Sequence, residues 1–187
     1  MTASPIVLAL ITVNVIFSLR GFRDPYFFNR LKFNVAQITA GQWQRLLTSS
    51  VLHVDMQHLL FNMFTLFFFG NVVFGGLGVV GFLTLYIGSI LGGGLFALRY
   101  HRNTPHYSAV GASGGVVGVL FAAIVLFPQM RLALLFFPVP IPGYIFALVY
   151  LGYTLYGMRK QNDQIGHTAH LGGALTGVAL VLLWQLL

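Results

Sequence analysis

A serine, several histidines and an asparagine stand where an otherwise greasy chain should not tolerate them. Ser113 follows Gly111-Ala112 and opens an apolar run, and His170 stands near the start of the last such run, three residues after His167. His53 and His58 precede another run, and Asn62 lies inside it. Polar side chains at membrane depth are costly, and those that are kept tend to face a cavity or perform chemistry. A serine in the first turn of a helix sits among backbone N–H groups that have no intrahelical acceptor and can hold an anion. The plain alternative is an N-cap, for which serine is favoured. Gly111 just before it permits a sharp turn. An imidazole that titrates near neutral pH can take a serine proton and return it to a leaving amine, which is what peptide-bond cleavage requires. His58 and Asn62 are one helical turn apart and point the same way. Two donors so placed, with the Ser113 backbone N–H, would stabilise a tetrahedral oxyanion; the alternative is a polar strut between helices. Six histidines also raise the question of metal, but there is no HExxH spacing, no cysteine and only three acids. Neither a metal nor another cofactor is expected.

Spacing says how these groups would meet. Gly114, Gly118 and Ala122 recur every four residues after Ser113, and Ala169, Gly173 and Gly177 do the same around His170. Stripes of small residues let two helix backbones approach closely. His170 shares a helix side with Gly173 and Gly177, so such a contact would carry its ring towards the helix headed by Ser113.

The elements that hold these groups are membrane spans. The chain has 187 residues, of which 57% are hydrophobic and 7% charged, against about 25% charged in soluble domains. It cannot clothe a globule in water, so lipid is its solvent. Apolar runs at 5–19, 59–74, 79–98, 113–127, 141–158 and 168–187 predict six helical spans in one domain, 1–187. Continuous stretches such as Phe61 to Phe69 exclude barrel strands, which would alternate. The fold class is an all-α membrane bundle. Met1 to Pro5 lacks a basic leader, so the first run is read as retained. The long connection from Arg20 to Met56 mixes aromatic rings with five basic residues and should lie at the headgroup level, in reach of anionic lipid. Three alternating prolines in Phe136 to Gly143 must separate the fourth span from the fifth. The net charge of +7 is spread between spans, which excludes a nucleic-acid partner. Nine of the ten Lys and Arg fall on one side of the six spans, which would make that side cytoplasmic.

Taken together, Arg45-Leu46-Leu47-Thr48, His53, His58-Leu59-Leu60-Phe61-Asn62, Gly111-Ala112-Ser113-Gly114 and Ala169-His170-Leu171-Gly172-Gly173 resemble the rhomboid intramembrane serine proteases, in order and over most of the chain. The resemblance implies a six-helix bundle with a water-filled cavity, lateral entry of a transmembrane substrate near the fifth span, and no cofactor. Ser113 would be the nucleophile, His170 the general base and acid, and His58 with Asn62 the oxyanion donors, a dyad without an acid. Arg45, Thr48 and His53 would be structural, as would Gly111, Gly114 and Gly173. Three departures stand out. Gln44 separates Trp43 from Arg45; Val117 replaces a ring that commonly stacks on the histidine; and His167 stands where asparagine is frequent, in a packing or solvated role. The family's simple six-span members face their cavity away from the cytoplasm, against the charge bias. The family orientation is preferred because the basic first connection is long and interfacial, and a prokaryotic plasma membrane is the expected location. The competing reading is a silent rhomboid-fold protein that escorts membrane clients. The presence of all four polar groups weighs against it. A small transporter is disfavoured for want of intramembrane charge pairs.

Overall fold

The computed structural model describes residues 3–134, 137–160 and 165–186. The first long helix, α1 (Pro5–Arg23), begins on a proline, whose fixed φ suits a first helical position. Asp24 ends α1 and caps α2 (Pro25–Leu31), accepting a hydrogen bond from the Phe27 amide at 2.9 Å. Strand β1 (Phe33–Asn34), α3 (Val35–Thr39) and α4 (Arg45–Thr48) complete the first connection.

A 45-residue helical run, α5 (Met56–Tyr100), follows, capped by the Asp55 carboxylate on the His58 amide at 2.7 Å. It is two helices, broken at Gly78, whose φ of 68° is open to glycine. The chain must reverse there. His58 lies against Gly111 and Gly93 lies near Gly114, yet 35 residues of straight helix would set His58 and Gly93 about 52 Å apart. The break separates the second and third spans expected at 59–74 and 79–98.

Strand β2 (Ser108–Ala109) pairs antiparallel with β1, Phe33 opposite Ala109 and Asn34 opposite Ser108. Then comes α6 (Ser113–Leu126), in which every residue from Gly114 to Ile124 is buried. Its 14 residues span about 21 Å, less than the ~30 Å hydrocarbon layer, so a helix that starts at Ser113 can keep that residue below the membrane surface. Strands β3 (Arg131–Leu134) and β4 (Phe137–Pro142) form an antiparallel pair before α7 (Gly143–Lys160). The three alternating prolines do lie between the fourth span and the fifth, but α6 has already ended at Leu126, and they stand inside a strand of a two-stranded sheet, which has only edges, where a missing N–H is tolerated. Ile141 and Pro142, expected at the head of the fifth span, therefore belong to β4. Phe136, in the same proline stretch, lies outside the described residues.

The last helix is α8 (His167–Trp184). It runs antiparallel to the second half of α5: Gly81 faces Trp184, Gly88 faces Leu180 and Gly92 faces Thr176. A core of Val7, Leu59, Leu66, Phe82, Val119 and Val181 ties α1, α5, α6 and α8 together. Leu60, Phe64, Leu148, Val149 and Leu175, by contrast, are half or more exposed, as expected where acyl chains are the solvent. The protein is a helical membrane bundle with two small strand pairs in its connections.

Candidate active site

Ser113 occupies the first position of α6, just after Gly111, whose φ of 137° is closed to other residues. A side chain at Gly111 is also excluded by space. Its Cβ would stand 2.7 Å from His58 Cε1, 3.0 Å from His58 Nε2 and 3.5 Å from Ser113 Oγ. The His58 and Ser113 side chains thus converge on one small volume, and glycine keeps it open. The Gly111 amide donates to the Ser49 carbonyl at 3.0 Å, and Val35 and Ala36 donate to the Tyr107 and Pro105 carbonyls at 3.2 Å. With the β1–β2 pair, these bonds fasten the first connection to the turn that presents Ser113.

The small-residue stripes meet as their spacing suggested. The place of a Gly173 side chain is filled by the Gly114 carbonyl, and that of Gly177 by the Gly118 carbonyl. The second half of α5 closes on the same contact: a Cβ on Gly93 would stand 2.6 Å from the Ala169 carbonyl. The backbones of α6 and α8 are therefore in direct contact next to Ser113. His170 lies one turn before that contact, at the same end, and its Nδ1 is 2.9 Å from the Tyr150 hydroxyl of α7. A cavity of about 50 Å³ opens beside Ser113, lined by Ser49, Ser50, Val110, Gly111 and Gly166 among others. That is room for water, which needs about 10–15 Å³ with polar partners.

The oxyanion candidates are placed differently from each other. His58 faces the Gly111 turn with Nε2, while its Nδ1 is buried with no hydrogen-bond partner among the described residues. Asn62 is buried, and one hydrogen of its amide is spent within its own helix on the His58 carbonyl at 2.9 Å. The second amide hydrogen is the one left for a ligand. His53 is fully buried, with its ring edge-on to His58 at 4.9 Å and Nδ1 2.9 Å from Ser18 Oγ. Ser18 donates to the Val51 carbonyl at 3.1 Å, so its oxygen accepts from His53 Nδ1–H. Burial, aided by His58 and opposed by Asp55, pushes the His53 pKa down to about 3. It is a neutral strut that backs His58.

Arg45 is 7% exposed and knits the first connection, donating to Gln42 Oε1 at 2.7 Å and to the Asn29 and Lys32 carbonyls at 3.0 and 2.7 Å. Thr48 adds a bond to the Leu31 carbonyl at 2.9 Å. Arg45→Ala leaves those acceptors without their donor and should cost on the order of 2–4 kcal/mol. Thermal unfolding in detergent should show a clearly lower midpoint; an unchanged midpoint would refute the strut. Trp43, two residues away, is 55% exposed and takes no part in that packing. His167 is buried, its ring over Gly157 and edge-on to Tyr153 at 5.2 Å, in a packing role. Among the described residues no group of three or more histidines or acids is arranged to hold a metal.

The family model described as Rhomboid domain matches residues 40–185, which takes in Arg45, Thr48, His53, His58, Asn62, Ser113 and His170. The chain belongs to the rhomboid family. Similar rhomboids include the RHOMBOID-like protein 12, mitochondrial, of Arabidopsis thaliana, 30% identical over 90% of this chain and 55% of that protein. Rhomboid protein 1, mitochondrial, of Saccharomyces cerevisiae is 34% identical over 70% of this chain and 38% of its own length. The rhomboid protease GluP of Bacillus subtilis is 31% identical over 75% and 26% respectively. The chain thus spans about half or less of the length of these curated relatives. Two groups at the site escaped the sequence reading. Ser49 acts through its backbone carbonyl, which leaves no signal in a sequence. Tyr150 is a hydroxyl on an apolar span, a polar signal of the same kind as Asn62, but twenty positions from the histidine it meets.

Proposed function

We propose that this rhomboid is an intramembrane serine endopeptidase that cleaves transmembrane protein substrates with Ser113 and His170 as its working pair. The observation that carries the reading is the convergence at the head of α6: Ser113 and His58 border one volume held open by Gly111, and the Gly114–Gly173 contact brings α8 and its histidine to the same end. Ser113 Oγ would attack the scissile carbonyl carbon while its proton passes to His170 Nε2. The oxyanion would be held by the Ser113 N–H, His58 and the remaining Asn62 hydrogen. As the C–N bond breaks, His170 returns the proton to the departing amine and an ester remains on Ser113. Water, for which the cavity beside Ser113 has room, would hydrolyse that ester through the same proton exchange.

The partners of this reading are a transmembrane substrate, the bilayer and water. Arg20, Arg23 and Arg30, all exposed in or beside the first connection, are placed to meet anionic headgroups. Two of the relatives are mitochondrial and one is bacterial; they give no support to a prokaryotic plasma membrane as the location, and an integral membrane protein is what stands. A fluorophosphonate probe tests the reading: wild type should be labelled and Ser113→Ala should not. An unlabelled wild type would favour a silent, client-binding rhomboid.

A further inference from the structure

We propose that Tyr150 is the positioning residue of His170: its hydroxyl oxygen accepts a hydrogen bond from His170 Nδ1–H and so holds the imidazole in the tautomer whose Nε2 lone pair is open to the serine proton. The inference rests on the reading of Ser113 and His170 as a proton-sharing pair.

The bond itself is short, 2.9 Å between the Tyr150 hydroxyl and Nδ1. With Nδ1 so engaged, Nε2 is the ring nitrogen that remains to serve Ser113. The direction of the bond then decides whether the imidazole can act. If Tyr150 donated its proton to Nδ1, the neutral ring would carry its hydrogen on Nε2 and could not accept from serine. If Nδ1–H donates to the tyrosine oxygen, Nε2 is basic. The Tyr150 proton then needs an acceptor of its own. The Thr154 hydroxyl supplies one. It stands one turn along α7 beside Tyr150, is fully buried, and makes no hydrogen bond among the described residues, so its oxygen is open to accept that proton. A chain donating from His170 to Tyr150 to Thr154 would engage all three groups in the direction that keeps the proton off Nε2.

Tyr150 is also held still. Its ring lies 5.8 Å from Phe146 at 27° and 5.7 Å from Phe121 at 62°. It runs nearly parallel to the His170 ring, at 6.2 Å and 26°. This accounts for Val117. Where a ring from the fourth span was expected against the histidine, valine is too short, and it packs into the same apolar cluster as Tyr150. The ring comes from α7 instead and brings a hydroxyl with it. In this chain the support of the histidine has moved to a different helix, and it acts by a hydrogen bond as well as by a face.

Tyr150→Phe keeps the ring and its aromatic contacts and removes only the hydroxyl. With a labelled transmembrane substrate, kcat should fall about 10- to 100-fold, with KM within about twofold and an unchanged unfolding midpoint. In protein labelled with 15N-histidine, the ring signals of His170, identified by their loss in His170→Gln, should show Nδ1 protonated in wild type and a shift towards the Nε2-protonated form in Tyr150→Phe. A kcat within about twofold of wild type, or a tautomer that does not respond to the loss of the hydroxyl, overturns the proposal. The spectrum needs no turnover. If the wild type cleaves nothing, the protease reading falls while the tautomer still decides what Tyr150 does.

Discussion

Ser113→Ala is expected to abolish cleavage of a labelled transmembrane substrate, with a loss of at least about 10,000-fold in turnover, while the folded protein melts as wild type does. The size of the loss follows from chemistry. Alanine offers no oxygen to form the ester, and the oxyanion donors that remain can only assist direct attack by water, which is orders of magnitude slower. His170→Ala should be as inactive as Ser113→Ala, and the double variant no worse than either, because groups that act as a unit are not additive. The stability expectation is equally specific. The N-cap of α6 is Ala112, and Ser113 stands at the first helical position after it, so the N-cap alternative assigns the serine no cap bond to lose. Cleavage that survives in Ser113→Ala would remove the serine mechanism. A variant that failed to fold would instead return Ser113 to a structural role.

Gly173→Val is expected to have the second largest effect, without touching any group that reacts. A side chain at this position would run into the carbonyl oxygen of Gly114 and stand 2.7 and 2.9 Å from its carbonyl carbon and Cα. Backbone cannot rotate aside as a flexible side chain can, so α8 must move away from α6 by an ångström or more. Misplacement of that size costs about 100-fold where two groups must share a proton. It also opens a packed contact in a setting where helix association depends on close approach. Cleavage should fall at least about 100-fold and the unfolding midpoint should drop. Gly152→Ala on α7 is the control, since no atom lies within 4 Å of the place its Cβ would take; it should cleave and melt as wild type does. A fully active Gly173→Val would show that the α6–α8 contact does not position the site.

These two residues mark how far the sequence can be read. Ser113 was legible because a serine after Gly111, at the mouth of an apolar run, is chemically out of place. Gly173 was legible because it repeats with Ala169 and Gly177 at the helical period, and the period alone says which face is small. Arg45 and Thr48 were legible as structural residues only through the family pattern, and their carbonyl partners on Asn29, Lys32 and Leu31 follow from no spacing rule. The strand pair β3–β4 was hidden because three alternating prolines forbid a helix without saying what replaces it. Asn62 could be placed on the face of His58, but its amide turns back on its own helix, a rotamer choice that spacing does not encode.

The sequence by itself determined the solvent, the helical class and the residues able to do chemistry, because each depends on local quantities: hydrophobicity summed along a run, and residue types at a helical period. Only the tertiary structure decided which way the 45-residue run reverses at Gly78, that β1 and β2 fasten the first connection to the turn before Ser113, and that Tyr150 rather than residue 117 supports His170. Those are contacts between segments far apart in the chain. They are selected by how whole helices pack against one another, and no window along a single helix carries that information.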